Sequence, residues 1–130
     1  MRREAINPQA LAPPGHFDHA VRIGDVLYVS ALSALSHVRG PERDHWVPGD
    51  IEAQTELTYR NLQRVVEAAG GTMANFVALT VFYTDVKHWP TVDQVTRRYL
   101  PERGFTRTGF LTRLVVPGLL IQIEGIAVLD

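Results

Sequence analysis

Apolar and polar positions follow two different periods along this chain. From Phe17 to Ile23 the pattern suits a strand, and Gly24-Asp25 reads as a turn. VLYVSALSAL (Val26 to Leu35) follows and is rich in strand formers, so the two runs predict a hairpin. Between Ile51 and Ala69 the period becomes helical. Ile51, Thr55, Thr58, Leu62, Val65, Val66 and Ala69 fall on one side, and Glu52, Glu56, Arg60, Gln63 and Glu67 lie opposite. Asp50 can cap this helix and Gly70-Gly71 can stop it. FVALTVFYT (Phe76 to Thr84) is apolar at nearly every position, as in a strand covered on both faces. A shorter helix is expected over Pro90 to Leu100, with Val92, Val95 and Tyr99 inward and Pro101 as its stop. Two more strands, Gly109 to Leu114 and Leu119 to Leu129, flank Pro117-Gly118. The first fifteen residues, with Pro8, Pro13, Pro14 and Gly15, read as an extended lead-in. Ser36 to Asp50 reads as an exposed loop, on which Trp46 either packs against its own domain or serves as a subunit contact or pocket lid.

The resulting order, β-β-α-β-α-β-β, defines an α+β fold with a mixed sheet. Right-handed crossovers place the two helices on one face of that sheet. Yet the last strand is apolar on both faces: Ile121, Ile123 and Ala127 point one way, Leu120 and Ile126 the other. Nothing else in the chain can cover the second face, so a homo-oligomer is expected.

Composition narrows the class. The chain has 130 residues, of which 45% are hydrophobic and 21% charged. That is ordinary for a soluble protein, and a single domain spanning 1–130 is expected. Thirteen basic against fourteen acidic residues give a net charge of −1. This speaks against a nucleic-acid partner or a membrane surface, since either usually needs a basic excess. The absence of cysteine removes disulfides, thiolate metal sites and Cys nucleophiles. No apolar run is long enough to span a membrane and no signal core is present, so a cytoplasmic location is expected.

Polar residues on apolar strands are the candidates for chemistry. Glu124 sits in LLIQIEGIAVL, projecting to the same side as Gln122. A buried carboxylate there either pairs at an edge or interface, or serves a site with a pKa suited to proton transfer. Arg107 lies where a polar loop enters an apolar strand, and its two-pronged guanidinium suits a carboxylate or an ion pair. Arg113 is the rival, expected at the exposed far end. His16 and His19 read as facing opposite ways on a strand, so no metal site is expected. His88 reads as a turn or cap residue. No nucleophile elbow and no glycine-rich phosphate loop is present.

GDVLYVSALSAL, then GDIEAQTELTYRNLQRVVEAAGGTMANFVALTVFYTDV, then TRT and LLIQIEGIAVL resemble the Rid (YjgF/YER057c/UK114) family of enamine/imine deaminases over nearly the whole chain. The spacing between Arg107 and Glu124 is similar to that of the family's Arg and Glu. The resemblance implies a chorismate-mutase-like subunit, a homotrimer built around an inner barrel, and ligand clefts between subunits. It implies a hydrolytic deaminase of 2-enamino or 2-imino acids that needs no cofactor. Arg107 would hold the substrate carboxylate, Glu124 would handle water, and Ser30 takes the place of the family's VSG serine, with Ala31 for the glycine. Three pocket positions depart from the pattern: Phe17 for a tyrosine, Asp93 for an asparagine, and Gly109 for Cys, Ser or Thr. Gly109 is expected to widen the cleft and Asp93 to repel a carboxylate. Those changes leave room for a larger substrate of the 2-aminomuconate type, or for a trimer that only binds a small metabolite. A ribonuclease activity, associated with some relatives, is disfavoured by the charge balance.

Overall fold

The structure, a computed structural model, describes residues 2–44 and 49–130. His45 and Trp46, including the alternatives raised for that tryptophan, lie outside the described residues.

The strands are β1 (Glu4–Ile6), β2 (Ala20–Ile23), β3 (Val26–Leu32), β4 (Phe76–Tyr83), β5 (Thr106–Leu111) and β6 (Ile121–Val128); the helices are α1 (Ile51–Ala68) and α2 (Trp89–Tyr99). They form a mixed α+β fold on one sheet of order β1-β2-β3-β6-β4-β5. Only β4 and β5 run parallel, joined through α2; the other neighbours are antiparallel.

Several boundaries differ from expectation. β1 lies within the proline-rich lead-in, where three residues pair with β2, and Leu11 and Ala12 are buried. The run from Val26 leaves the sheet after Leu32, because Ser33 caps a short 3-10 turn over Ala34–His37. β5 begins three residues earlier than expected, at Thr106, so Arg107 is inside the strand. His16 and His19 precede β2 rather than lying on it, yet remain apart in environment: His16 is exposed and His19 buried.

α1 begins where Asp50 accepts a hydrogen bond from the Ala53 amide at 2.9 Å, and Gly70 follows it at a positive φ of 91°. Its buried surface is wider than one stripe, since it lies between the sheet and α2. Gln54, Tyr59 and Asn61 are buried along with the expected residues. The two buried amides are satisfied by distant backbone. Gln54 donates to the Gly49 and Gly118 carbonyls and accepts from the Leu120 amide, while Asn61 donates to the Ser33 carbonyl. One helix face thereby anchors two neighbouring loops, since the end of β3 and the start of β6 lie side by side in the sheet.

Val29, Leu79, Val81, Ile121, Ile123 and Ala127 face the helices and are buried. The opposite face carries Tyr28, Phe82, Phe110, Ile126 and Val128, and among the described residues no element covers it. Phe110 is 51% exposed, Tyr28 50% and Val128 43%. Phe82 and Phe110 stack on one another there at 5.7 Å. Both crossovers bring their helices to the same side, as expected, and the bare face is what that arrangement leaves.

Candidate functional site

The candidate residues fall into two groups on different surfaces of the chain. β4 separates them. Arg107 stands opposite Leu79, and Glu124 stands opposite Thr80, the next residue along the same strand. Adjacent residues of a strand face opposite ways, so Arg107 emerges on the helix side and Glu124 on the bare side.

Arg107 is the second residue of the edge strand β5, and its side chain packs over the start of α2. An Arg107 Nη2 hydrogen donates to Asp93 Oδ1 at 2.9 Å, and the guanidinium carbon lies 4.6 Å from the centre of the Trp89 ring. Asp93 also accepts from Arg97 Nε, one turn on, at 3.0 Å. The hydrogen bond from Arg107, followed by that from Arg97, holds the Asp93 carboxyl below its ordinary pKa. Asp93 is therefore bonded to Arg107 rather than simply opposing an incoming carboxylate. Gly109 does not open the cleft. A Cβ placed on it would lie 3.1 Å from the Trp89 ring, so the room left by the missing side chain is filled by indole instead of widening a cleft. Asp93, Arg97 and Arg107 line an open cleft of about 410 Å³ together with Glu102, Arg103 and Phe105.

On the bare face, Ser30 and Glu124 line a second cleft of about 350 Å³ together with Asp18, Tyr28, Thr80 and Ile126. Glu124 is exposed in the chain, whereas sequence reasoning expected burial; strand alternation buries its neighbours Ile123 and Gly125 and turns Glu124 outward. The Ser30 hydroxyl donates to the Asp18 carbonyl at 2.7 Å, and Asn7 donates to Asp18 Oδ1 at 2.8 Å, so this short segment is tied to β3 and to the lead-in. Phe17, just before it, is 60% exposed. Behind it His19 is buried with Nδ1 unpartnered, and burial pushes its pKa down. Arg113 lies beyond β5 and is exposed.

Two residues that shape these surfaces carry no signal of their own in the sequence. Trp89 opens α2 beside Pro90, and only pairing a bulky aromatic with a glycine across the helix–strand contact would have singled it out. Asp18 was hidden because the strand was expected to begin before it. No group of three or more His, Cys, Asp or Glu converges on a point among the described residues. No helix of the described residues is long and apolar enough to cross a membrane.

A two-helix α+β chain with a mixed six-stranded sheet, one bare apolar face, and an arginine and a glutamate set on its two sides defines the class. The sequence profile of the Endoribonuclease L-PSP family matches residues 7–129, and the chain belongs to that family, the Rid or YjgF/YER057c/UK114 family. Among its relatives is protein mmf2, mitochondrial, of Schizosaccharomyces pombe, 30% identical over 130 residues and covering 98% of both chains. The 2-iminobutanoate/2-iminopropanoate deaminase of Rattus norvegicus is 27% identical over 128 residues, covering 98% of this chain and 90% of its own. The crystal structure of RidA from an Antarctic Psychrobacter superposes with a TM-score of 0.83 at 22% identity, over 97% of this chain and 99% of that one. That likeness concerns the fold.

Proposed function

We propose that this protein is a cofactor-free hydrolytic deaminase of small 2-enamino and 2-imino acids, working as a homotrimer with its clefts between copies. The observation that carries the reading is the position of its two charged candidates. Arg107 sits on an edge strand with guanidinium N–H groups not used by Asp93, and Glu124 sits exposed amid an uncovered apolar face. Each is half of a site, and a second copy packed on the bare face supplies the other half. The rat relative's name supports the reaction class.

The chemistry asks little of the protein. An enamine acid tautomerises to the imine, water adds to the imine carbon, and the carbinolamine releases ammonia to leave the 2-keto acid. Arg107 holds the substrate carboxylate through charge-assisted hydrogen bonds, which orients the imine carbon. Glu124 of a second copy takes a proton from the attacking water and returns it to the departing nitrogen. Ser30 and Thr80 offer hydroxyls beside it. Phosphodiester cleavage, which the family's description names, is less well served: the Glu124 cleft already brings two carboxylates, Asp18 and Glu124, to a place where a phosphodiester would add further negative charge.

The test is ammonia and keto-acid release from 2-aminoacrylate generated in situ, using wild type, Arg107→Ala, Glu124→Gln and the two variants co-expressed. Wild type should accelerate release and each variant should lose it. Random assortment in the co-expressed mixture should restore about a quarter of the clefts, because those clefts draw both residues intact from different copies. No recovery would overturn the shared site. No acceleration by wild type would remove this substrate class and leave a larger enamine acid or a binding role, while a monomer in sedimentation would remove the assembly.

A further inference from the structure

Asp93 and Arg107 place opposite charges 2.9 Å apart in the lining of an open cleft. An ion pair of this kind is a poor receptor for a plain carboxylate, because a carboxylate taking Arg107 also approaches the negative Asp93. It is a good receptor for a molecule carrying both charges on neighbouring atoms. We propose that Asp93 is a specificity-determining residue that selects ligands with a protonated nitrogen beside the carboxylate: iminium and amino acids in their zwitterionic form, and not the matching 2-keto acids.

The geometry supports a receptor rather than a closed internal pair. Arg107 gives Asp93 one hydrogen bond, through Nη2, and no other bond from this guanidinium is made within the described residues. Trp89 lies against the guanidinium face and Gly109 makes room for the indole, so the fork is held flat with its remaining N–H groups free. Each Asp93 oxygen accepts one hydrogen bond, Oδ1 from Arg107 and Oδ2 from Arg97, and a carboxylate oxygen has a second lone pair to offer. A ligand carboxylate on Arg107 therefore brings its adjacent nitrogen toward an available acceptor. Thr96, Leu100 and Phe105 also line the cleft, with the charged Arg97, Glu102 and Arg103.

This inference rests on the proposed function and gives it a direction. In R–C(=NH₂⁺)–COO⁻ + H₂O → R–CO–COO⁻ + NH₄⁺, the substrate carries the charge that Asp93 reads and the keto acid does not. As the nitrogen leaves, the product loses its contact with Asp93 and meets only repulsion there. The same residue then favours substrate binding and product release.

The experiment is equilibrium binding of two matched probes, 2-aminobutanoate and 2-oxobutanoate, to wild type, Asp93→Asn and Arg97→Ala, by calorimetry at neutral pH and low salt. Wild type should bind the amino acid at least tenfold more tightly than the keto acid. Asp93→Asn should cut that ratio by at least tenfold, weakening the amino acid and strengthening the keto acid. Arg97→Ala, which leaves Asp93 and Arg107 paired, should keep the ratio. An equal preference in wild type, a ratio unchanged by Asp93→Asn, or no binding of either probe would overturn the inference. Imine turnover without the preference would leave the proposed function standing alone, and the preference without turnover would do the reverse.

Discussion

The two groups of candidate residues are built on opposite principles. On the helix side Arg107 is already provided for: Asp93 bonds it, Trp89 covers it, and Asp93 is shared with Arg97. On the bare side Glu124 makes no hydrogen bond or ion pair within the described residues, and it lines an open cleft with Asp18, Ser30 and Thr80 among exposed apolar side chains. A cation stacked on an aromatic and paired with a carboxylate is stable within one chain. A carboxylate on an uncovered sheet acquires its environment from outside. The first group is preorganised by the fold, and the second, in the assembly proposed above, is completed by another copy.

The sharpest break of this contrast is at Glu124. Glu124→Gln keeps the shape and removes the base, so kcat for imine hydrolysis should fall by about 10²–10⁴-fold with the assembly unchanged. Measured alongside sedimentation, a variant that instead dissociates would show that Glu124 serves the interface. Arg107→Ala should act differently and by less. It should raise KM and cost roughly 1.5–3 kcal/mol in kcat/KM, the worth of a charge-assisted hydrogen bond. Thermal stability should change little, because Asp93 keeps Arg97 and partial access to water. Unchanged kinetics would remove Arg107 from the site.

The contrast also explains what could be read from the sequence. Helix α1 was legible almost to the residue, because its cap, its apolar side and its Gly-Gly stop are local signals. The bare sheet face was legible from the alternation of the last strand, where Ile126 points away from Ile123 and Ala127. The environments of single polar residues were not. Burial of Glu124 was inferred from the hydrophobicity of its neighbours, yet those neighbours bury the other face of the strand. The space beside Gly109 depends on a tryptophan twenty residues earlier in the chain, which no period connects to it. Gln54 and Asn61 stood within the segments that carry the family resemblance. Their reason, binding loop carbonyls far along the chain, becomes visible only once the helix is docked.

Gly109 sharpens the comparison from the helix side. Gly109→Ala sets a methyl 3.1 Å from the Trp89 ring, tighter than an ordinary contact, so the indole that stacks on Arg107 must give way slightly. The expected result is a loss of roughly 1 kcal/mol in thermal or urea unfolding, the low end for overpacking, together with a raised KM. In a Trp89→Ala background the same substitution should cost almost nothing. That non-additivity identifies the ring, and not the strand backbone, as what the glycine accommodates. Additive costs would place the strain elsewhere.

The smallest effect concerns His19, behind the Glu124 cleft. Burial pushes its pKa down, and Arg43 adds to this, while a hydrogen bond to the Ala12 carbonyl and the nearby Asp18 push the other way. The folded chain therefore binds a proton at His19 less readily than the unfolded chain does. Stability from the neutral ring is complete above the usual histidine pKa of about 6.5 and is lost as pH falls below it, by at most about 1.4 kcal/mol per pH unit until the lowered folded value is passed. Asp93 and Glu56 are also shifted downward, Asp93 through Arg107 and Arg97. For Glu56, burial raises the pKa but the hydrogen bonds from Tyr99 and Arg98 outweigh it. Their contributions hold above the ordinary carboxylate range and fade only as pH drops through and below it, so the two windows separate. Thermal unfolding between pH 7.5 and 5.5 should show wild type losing stability and His19→Gln losing less, with the two curves converging in slope toward pH 8. Parallel curves over the whole range would assign the acid sensitivity to another group and leave the buried Nδ1 without energetic consequence.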